Sequence, residues 1–283
     1  MSFDTGRTRI SVVTPSFNQG EFITEAIESI RSQRYADCEH VVVDNSSSDN
    51  TLAILAKYTG IRWVSEPDSG QSDALNKGFR MARGELIGWL NADDRYLPRC
   101  FEKVSAFNRD NPDVDVIYGD YRWIDQSGKV IQIRRELDYD LFMLKYVPFL
   151  YIPPPTIFFR RHVFESDNLF DVSYRYALDY EFILRLALRR YKFGHIPAIL
   201  TDFRVHGGST SVRYKGLQRK EQDRALFQHD PFLRTLPWPL RGAVCVALRA
   251  TARAKRCTLK ALKGHYFEQW PVGGELGGVD KKA

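Results

Sequence analysis

The sequence lacks a long apolar run. No segment approaches about 18 uninterrupted apolar residues, and a bilayer-spanning helix needs about 20. The most apolar stretch, residues 147–159, is broken by Pro153-Pro154-Pro155, and proline interrupts a helix interior. Residues 1–9 also lack the apolar core of a signal peptide. We therefore expect no membrane span and a cytoplasmic protein.

Cysteine is scarce, and two nucleotide-binding motifs are missing. The four cysteines form neither a close pair nor a zinc-binding spacing, so we expect free thiols in a reducing compartment. No Gly-x-Gly-x-x-Gly follows the first predicted strand, which disfavours a standard NAD site. No Gly-x-x-x-x-Gly-Lys-Ser/Thr is present, which excludes a P-loop.

Acidic residues are absent from residues 231–267, a stretch that holds eight Lys or Arg. Removing those eight from the formal net charge of +6 leaves the rest of the chain at −2. The body is therefore near neutral and the tail strongly basic. From residue 241 the tail predicts a helix. Its basic residues recur at steps of four and three, which places them in one stripe: Arg249, Arg253, Arg256, Lys260 and Lys263.

Two interpretations of this basic stripe stay open. A basic helix preceded by Trp238 can lie on an anionic membrane surface. Alternatively, the helix packs on the body and its basic face is solvated. Nucleic acid is not expected as a partner, because aromatic residues are not interleaved with the basic ones.

Over residues 9–118, short apolar strands alternate with amphipathic helices. This alternation predicts an α/β fold in which helices cover both faces of a parallel sheet. Strands are predicted at 9–14, 39–43, 61–65, 86–90 and 114–118, and helices at 21–33, 50–58, 70–82 and 98–109. The middle section predicts a hairpin at 121–133, a loop running into a strand at 153–160, a helix within 173–190 and a strand at 193–204.

Polar clusters follow four of these strands, at residues 14–18, 44–49, 66–73 and 91–94. Ligands of parallel sheets bind at the carboxyl ends of the strands, so these clusters predict one binding crevice. Asp93 and Asp94 directly follow the fourth strand. Adjacent carboxylates there suit Mg²⁺ or Mn²⁺, although Asp is also a common helix N-cap.

Three further side chains are candidates with ordinary alternatives. Asp44 ends the second strand and could hydrogen-bond a base or ribose, or simply form a turn. Asp179 and Glu181 begin an amphipathic helix; such an acid could accept a proton from a hydroxyl, or only complement the helix dipole. His206 lies in a Gly/Ser/Thr loop and could complete a metal site or remain solvated.

Six segments, taken in chain order, resemble the inverting nucleotide-sugar glycosyltransferases of family 2, of the bacterial cell-surface polysaccharide type. The resemblance covers about residues 9–211. The segments are Val12 to Asn18, Val42 to Asp49, Ala74 to Gly78, Leu90 to Asp94, Asp179-Tyr180-Glu181 with Arg185, and His206 to Ser209.

The resemblance implies the GT-A fold, a Rossmann-like and mostly parallel central sheet with helices on both faces. It implies a catalytic domain at residues 1–230, with a nucleotide-binding half at about 9–120 and an acceptor half at about 121–212. Residues 231–283 would form a basic helical extension.

The resemblance also implies roles for individual residues. The nucleotide-sugar donor would be bound by Thr14, Pro15, Ser16, Asn18, Asp44, Gln71, Asn76, Lys77, Asn91 and Ala92. A divalent cation, Mn²⁺ or Mg²⁺, would be bound by Asp93 and His206. Asp179 would be the catalytic base. UDP is the default nucleotide. The acceptor would be a glycan or a lipid-linked molecule, and a lipid-linked acceptor would be reached from the inner membrane surface on which the basic tail could lie.

The chain departs from the family pattern in three places. Asn91 replaces the first acid of Asp-x-Asp, and Leu178 stands where many relatives have Glu, which leaves Glu181 as a fallback base. The Gln-x-x-Arg-Trp motif of processive synthases is missing, so we expect transfer of one sugar per encounter. The alternatives are a nucleotidyl or phosphoryl transferase on the same metal site, and a catalytically silent, membrane-attached binding module.

Overall fold

The computed structural model describes residues 8–165 and 168–265. A nine-stranded sheet forms its centre. The strands are β1 Ile10–Ser16, β2 Cys38–Asp44, β3 Ile61–Ser65, β4 Leu86–Trp89, β5 Arg95–Tyr96, β6 Val116–Ile124, β7 Val130–Arg134, β8 Phe158–Arg160 and β9 Phe193–Arg204. Their order in the sheet is β3-β2-β1-β4-β8-β6-β9-β5, and β7 pairs with β6.

The helices alternate with the strands in the first half and dominate the C-terminal part. They are α1 Ile23–Arg31, α2 Thr51–Leu55, α3 Gln71–Met81, α4 Cys100–Asp110, α5 Leu141–Tyr146, α6 His162–Glu165, α7 Leu178–Leu188, α8 Thr210–Arg213, α9 Lys215–His229, α10 Pro231–Thr235 and α11 Trp238–Leu262. A short 3-10 turn, Pro154–Thr156, precedes β8. The predicted α/β alternation is confirmed.

The first four strands are parallel, and their register brings the polar strand ends together. Every residue of β1 is buried, as expected for a strand covered on both faces. Ser16 at the end of β1 pairs with Asp44 of β2, and Asp44 pairs with Ser65 of β3. On one face α3 lies close to β1. The absence of a side chain at Gly78 allows this approach, since a Cβ there would overlap the side chain of Val13. This edge of the sheet forms the floor of the site described below.

The second half of the sheet is mixed. The hairpin of β6 and β7 is confirmed, with Gly128 at a positive φ of 87° in its turn. The predicted strand at 114–118 is the start of β6, but β6 does not lie beside β4. The short strand β8 lies between them and is antiparallel to both. Since β9 is parallel to β6, the segment after β9 reaches the same edge of the sheet as the end of β4.

An aromatic cluster supports the second half of the site. The Phe170 ring stacks on Phe182 of α7 with centroids 4.2 Å apart, and Phe79 of α3 stacks on Phe164 at 4.3 Å. Stacked and edge-on aromatic pairs add to the free energy of burial itself. The cluster therefore joins α3 to α7, the two helices whose N-termini border the site.

Of the two interpretations of the basic stripe, packing of α11 on the body is confirmed, but the expected solvated basic face is wrong for most of its residues. Arg256 Nη2 lies 2.7 Å from Glu136, Lys260 Nζ lies 3.2 Å from the same carboxylate, and Lys263 Nζ lies 2.8 Å from Asp138. Arg249 pairs with Asp223 of α9, whereas Arg253 is exposed. Most of the basic side of α11 thus faces acids of the body, neither solvent nor a membrane.

The predicted boundaries of the two halves and of the extension stay predictions. Within the described ranges, β6 continues through residue 120, and α11 packs against α5. Residues 1–7 and 266–283, which belong to the predicted N-terminal and C-terminal ends, lie outside the described residues. Among the helices that are described, none is both long enough and apolar enough to cross a bilayer.

Candidate active site

A cleft of about 390 Å³ opens where the ends of β1 and β4, the start of α3, the start of α7 and the segment after β9 meet. Many of the predicted site residues line it together. They are Pro15, Ser16, Gln71, Asn91, Ala92, Asp93, Asp179 and His206. The converging strand ends therefore form one concave site, as the distribution of polar clusters predicts.

Asp93 and His206 form a pair inside the cleft. Asp93 follows β4, His206 follows β9, and His206 Nε2 lies 3.1 Å from Asp93 Oδ2. The imidazole ring packs against Phe22, with centroids 4.9 Å apart, which limits its orientations. Among the described residues, no group of three or more His, Cys, Asp or Glu could hold a metal ion. An oxygen and a nitrogen ligand fit a cation that takes its remaining ligands from phosphate oxygens and water.

Asp94 has a different environment from its neighbour. It is buried and accepts hydrogen bonds from the Arg204 backbone N–H at 2.8 Å and from Asn91 Nδ2 at 3.1 Å. Burial, and then the charge of Asp93, raise the pKa of Asp94 well above its ordinary value. Neither acid caps the following helix, because the N-cap of α4 is Arg99. Asp94 therefore anchors the loop, while Asp93 faces the cleft.

Asn91, at the first position of the Asp-x-Asp pattern, is fixed by its neighbours. Its Oδ1 accepts from Gln71 Nε2 at 2.8 Å and from Trp89 Nε1 at 2.8 Å. The indole N–H of Trp89 can only donate, so the atom of Asn91 that faces it must be the amide oxygen. Asp94 accepts from the amide nitrogen on the other side. Asn91 thus adds a rigid, uncharged group to the cleft wall.

Asp179 faces the cleft from the first turn of α7. Its Oδ1 accepts from the Tyr180 N–H at 2.8 Å. Burial raises the pKa of Asp179 to about 6, and the charge of Glu221 acts in the same direction. A carboxylate with this pKa is ionised at neutral pH but is more basic than an ordinary Asp, as a general base requires.

Glu221 of α9 holds the backbone in front of Asp179. Its carboxylate accepts from the N–H groups of Arg175, Tyr176 and Ala177 at 2.8–3.1 Å. These are charge-assisted hydrogen bonds to three consecutive backbone donors, of which the last belongs to Ala177, the N-cap of α7. The approach of the chain to Asp179 is therefore rigid.

The sequence profile described as "Glycosyl transferase family 2" matches residues 11–178. The chain belongs to this family. An uncharacterized glycosyltransferase of Rickettsia typhi is 30% identical over 223 residues, which are 75% of this chain and 68% of that protein. Chondroitin synthase of Escherichia coli is 26% identical over 215 residues, which cover 75% of this chain but only 31% of the synthase. The protein is thus a glycosyltransferase.

Two solved structures share the fold of this glycosyltransferase. Staphylococcus aureus TarS in complex with UDP gives a TM-score of 0.59 at 18% identity, covering 86% of this chain and 80% of the other. A mannosyltransferase of Pyrobaculum calidifontis in complex with GDP-Man and Mn²⁺ gives 0.62 at 19% identity, covering 93% and 81%. The GT-A fold that the sequence predicts is confirmed.

Some predicted donor-binding side chains of the glycosyltransferase lie outside the cleft. Thr14 Oγ1 is buried against His40 Nε2 at 2.9 Å. The Asp44 carboxylate is also buried and accepts from Ser16 Oγ at 3.1 Å and Ser65 Oγ at 2.8 Å. Their binding roles stay predictions. In the structure, Thr14 and Asp44 form a buried layer that supports Pro15 and Ser16.

The remaining predicted residues, Asn18, Asn76 and Lys77, do not line the cleft and bond to neighbouring segments of the chain. Asn18 Oδ1 accepts from the Ser48 N–H at 2.9 Å. The Asn76 amide exchanges two hydrogen bonds with the Phe170 backbone, at 2.9 and 2.8 Å. Lys77 Nζ lies 2.8 Å from Glu66. The donor-binding roles of these side chains also stay predictions.

Glu181, the fallback base that the sequence allows, does not line the cleft. It is buried away from the cleft, with Arg185 Nε at 2.7 Å and His229 Nε2 at 2.9 Å. Burial acts to raise the pKa of Glu181, but these two partners outweigh it and hold the pKa below its usual value. Glu181 therefore joins α7 to α9.

The sequence reasoning missed several residues that line the cleft: Phe17, Asn45, Asp68, Arg175, Tyr176, Phe203 and Gln218. Phe17 had a usable signal, since it lies inside a recognised segment, and its side chain is 55% exposed. Arg175 and Tyr176 closely precede Asp179. Gln218 lies on α9, a helix that was not predicted.

Proposed function

We propose that this glycosyltransferase transfers one sugar from a nucleoside-diphosphate sugar to an acceptor hydroxyl, with a divalent cation and with inversion at the anomeric carbon. UDP is the default nucleotide. One observation carries the proposal: the Asp93–His206 pair and the raised-pKa carboxyl of Asp179 face the same cleft.

Asp93 and His206 would hold the cation, Mn²⁺ or Mg²⁺. Bound there, it would supply positive charge that stabilises the departing nucleoside diphosphate. Asn91 and Asp94 keep the Asp93 loop in place through their mutual hydrogen bond. Pro15, Ser16, Gln71 and Ala92 would form the surface on which the donor lies.

Asp179 would accept the proton of the acceptor hydroxyl as the hydroxyl oxygen bonds to the anomeric carbon. The nucleotide leaves from the opposite face of the sugar with the electrons of the broken C–O bond, so a single displacement inverts the centre. Since the motif of processive synthases is missing, we propose that the product leaves after one transfer.

The neighbours support a nucleotide-sugar donor and leave its base open. TarS has been solved with UDP and with UDP-GlcNAc, and the mannosyltransferase with GDP-Man and Mn²⁺. At this level of identity the likeness establishes the fold alone. A nucleotide panel is therefore the first experiment.

The experiment is a thermal-shift panel of UDP, GDP, dTDP and CMP, each with and without Mn²⁺. We expect metal-dependent stabilisation by one nucleotide, because a ligand at about 100 times its Kd adds about 2.7 kcal/mol. Asp93→Asn should abolish the metal-dependent part. Asp110→Asn, on the exposed end of α4, is the matched control. No shift with any nucleotide in the folded wild-type protein would contradict the proposal.

We also propose a glycan or lipid-linked acceptor, reached by a cytoplasmic enzyme that associates with the inner face of the membrane. Exposed residues of α11 support this, since Leu240, Val246 and Leu262 expose apolar surface and Arg253 is an exposed cation on the same helix. We expect the protein to float with anionic but not neutral vesicles, and Val246→Asp to weaken the association roughly tenfold. Leu217→Asp, on α9, is the control. Wild-type protein that stays unbound would exclude this surface.

A further inference from the structure

A second cavity of about 350 Å³ lies beside the cleft. Asp68, Gly70, Gln71 and Arg175 line both cavities, so they form the wall between them. Asp93 and His206 line the first cavity and do not line the second. The second cavity therefore lies beyond this wall, away from the proposed cation.

Arg175 is the one basic residue of Lys or Arg type among the described residues that line the two cavities. Its backbone N–H is held by Glu221, but its guanidinium makes no hydrogen bond or ion pair with the part of the chain that the structure describes. Arg175 is exposed, so its guanidinium is available to form charge-assisted hydrogen bonds with a ligand.

The loop that carries Arg175 is held on both sides. The carbonyl of Tyr174, the preceding residue, accepts from Ser72 Oγ of α3 at 2.9 Å. Arg224 of α9 lies over the Tyr174 ring, 3.8 Å from its centroid, and donates to the Ser173 carbonyl at 2.9 Å. The Cα position of Arg175 is thus defined, and only its side chain needs to be ordered on binding.

Asp68 is the other charged residue that lines the second cavity, and one of its oxygens is engaged by the backbone. Asp68 Oδ1 accepts from the Gly70 N–H at 2.8 Å. Burial raises the pKa of Asp68 above its ordinary value.

We propose that the second cavity is an acceptor subsite in which Arg175 binds an anionic group, a phosphate or a carboxylate, carried by the acceptor. This inference depends on the proposed function. An acceptor whose hydroxyl lies at Asp179 would extend past Arg175, four positions earlier in the chain, into the second cavity. A planar guanidinium binds either oxyanion through two parallel N–H···O bonds.

The test uses three sugars that share one ring: glucose, glucose 1-phosphate and glucuronate. Each is titrated by calorimetry into full-length protein saturated with Mn²⁺ and the nucleotide that stabilises it, so that the diphosphate position is filled. We expect one or both anions to bind at least tenfold more tightly than glucose, a factor equal to about 1.4 kcal/mol. Preference for glucose 1-phosphate indicates a phosphate acceptor, and preference for glucuronate indicates a carboxylate.

Arg175→Gln should remove the preference for the anion and leave the Kd of the nucleotide unchanged. Arg175→Lys should retain part of the preference, because it keeps the charge and loses the planar fork. Arg80→Gln removes a charge from the exposed side of α3 and should behave as wild type.

Three results would overturn the inference. They are wild-type protein without preference for either anion, Arg175→Gln protein that retains the preference, and an Arg175→Gln protein whose nucleotide affinity falls instead. The last result would assign Arg175 to the donor diphosphate. If no nucleotide binds, the proposed function fails, and the same titration of the free protein still shows whether Arg175 binds sugar anions.

Discussion

Asp179 combines access to the cleft with a pKa raised by burial, and its substitution gives the sharpest test at the scale of one residue. Asp179→Asn keeps an oxygen that can accept from the Tyr180 N–H, so the fold and nucleotide binding should persist. We expect kcat to fall by about 10² to 10⁴, the usual contribution of a general base. Asp171→Asn, outside the cleft, is the control. Full activity of the Asp179→Asn protein would exclude Asp179 as the base.

The raised pKa of Asp179 also predicts the pH at which activity falls on the acid side of the pH–rate profile. The base acts when it is deprotonated, and its pKa is raised to about 6. Activity should therefore be complete above about pH 7 and fall about tenfold per pH unit below pH 6. Nucleotide binding measured at each pH separates loss of the base from loss of the donor site. A limb centred near pH 4, where an ordinary Asp titrates, would contradict the assigned environment.

At the scale of secondary-structure elements, Arg204 at the end of β9 connects three pieces of the site. Its Nε donates to the Asp93 carbonyl at 2.8 Å, Nη1 to the Gln126 carbonyl of the hairpin turn at 2.7 Å, and Nη2 to Glu25 of α1 at 2.7 Å. The residue is almost fully buried. It thereby holds the loop of Asp93 against the segment of His206.

Arg204→Lys keeps the charge but cannot reach all three acceptors. Since buried acceptors left unpaired cost about 1–3 kcal/mol each, we expect a loss of at least about 2 kcal/mol in the free energy of unfolding. The Mn²⁺ affinity of the nucleotide-bound protein should also fall. Arg99→Gln, at an exposed pair with Glu102, is the control and should change neither quantity. Unchanged metal affinity in Arg204→Lys would remove its positioning role.

At the scale of the whole molecule, α11 is attached to the body through Glu136. This carboxylate is 1% exposed, and it faces Arg256 and Lys260, which are also buried. Burial lowers the pKa of Lys260 to about 8. Glu136 is therefore the anionic partner that these two buried cations share.

Glu136→Gln would leave these cations without their partner. We expect the free energy of unfolding to fall by about 3–5 kcal/mol at pH 7. A buried Lys with a lowered pKa is penalised while charged, and the penalty decreases as pH rises through that pKa, so the loss should be smaller at pH 9. Lys263→Gln, at a more exposed pair, should cost less than about 1 kcal/mol. Chemical denaturation at both pH values measures the difference, and equal losses would contradict the role of Lys260.

Local patterns predicted much of the fold and part of the site. Nearby residues determine the alternation of strands and helices, and they also place Asp93 in the loop that follows β4. The pairing of β8 between β4 and β6 was not predicted. A three-residue strand carries little periodicity, and its partners lie far along the chain. Arg175 was missed for a similar reason, because only its place between two cavities distinguishes it.

By itself the sequence determined the family and the α/β alternation, because motif order and periodicity are properties of the chain. It also identified Asp93, Asp179 and His206 as candidate metal-binding and catalytic residues. Only the tertiary structure decided that Asp44 is covered by hydroxyl donors and that the stripe of α11 faces the body. Burial and ion pairing depend on distant partners: Arg256 meets Glu136 across 120 positions. Such contacts arise from packing, which no local pattern encodes.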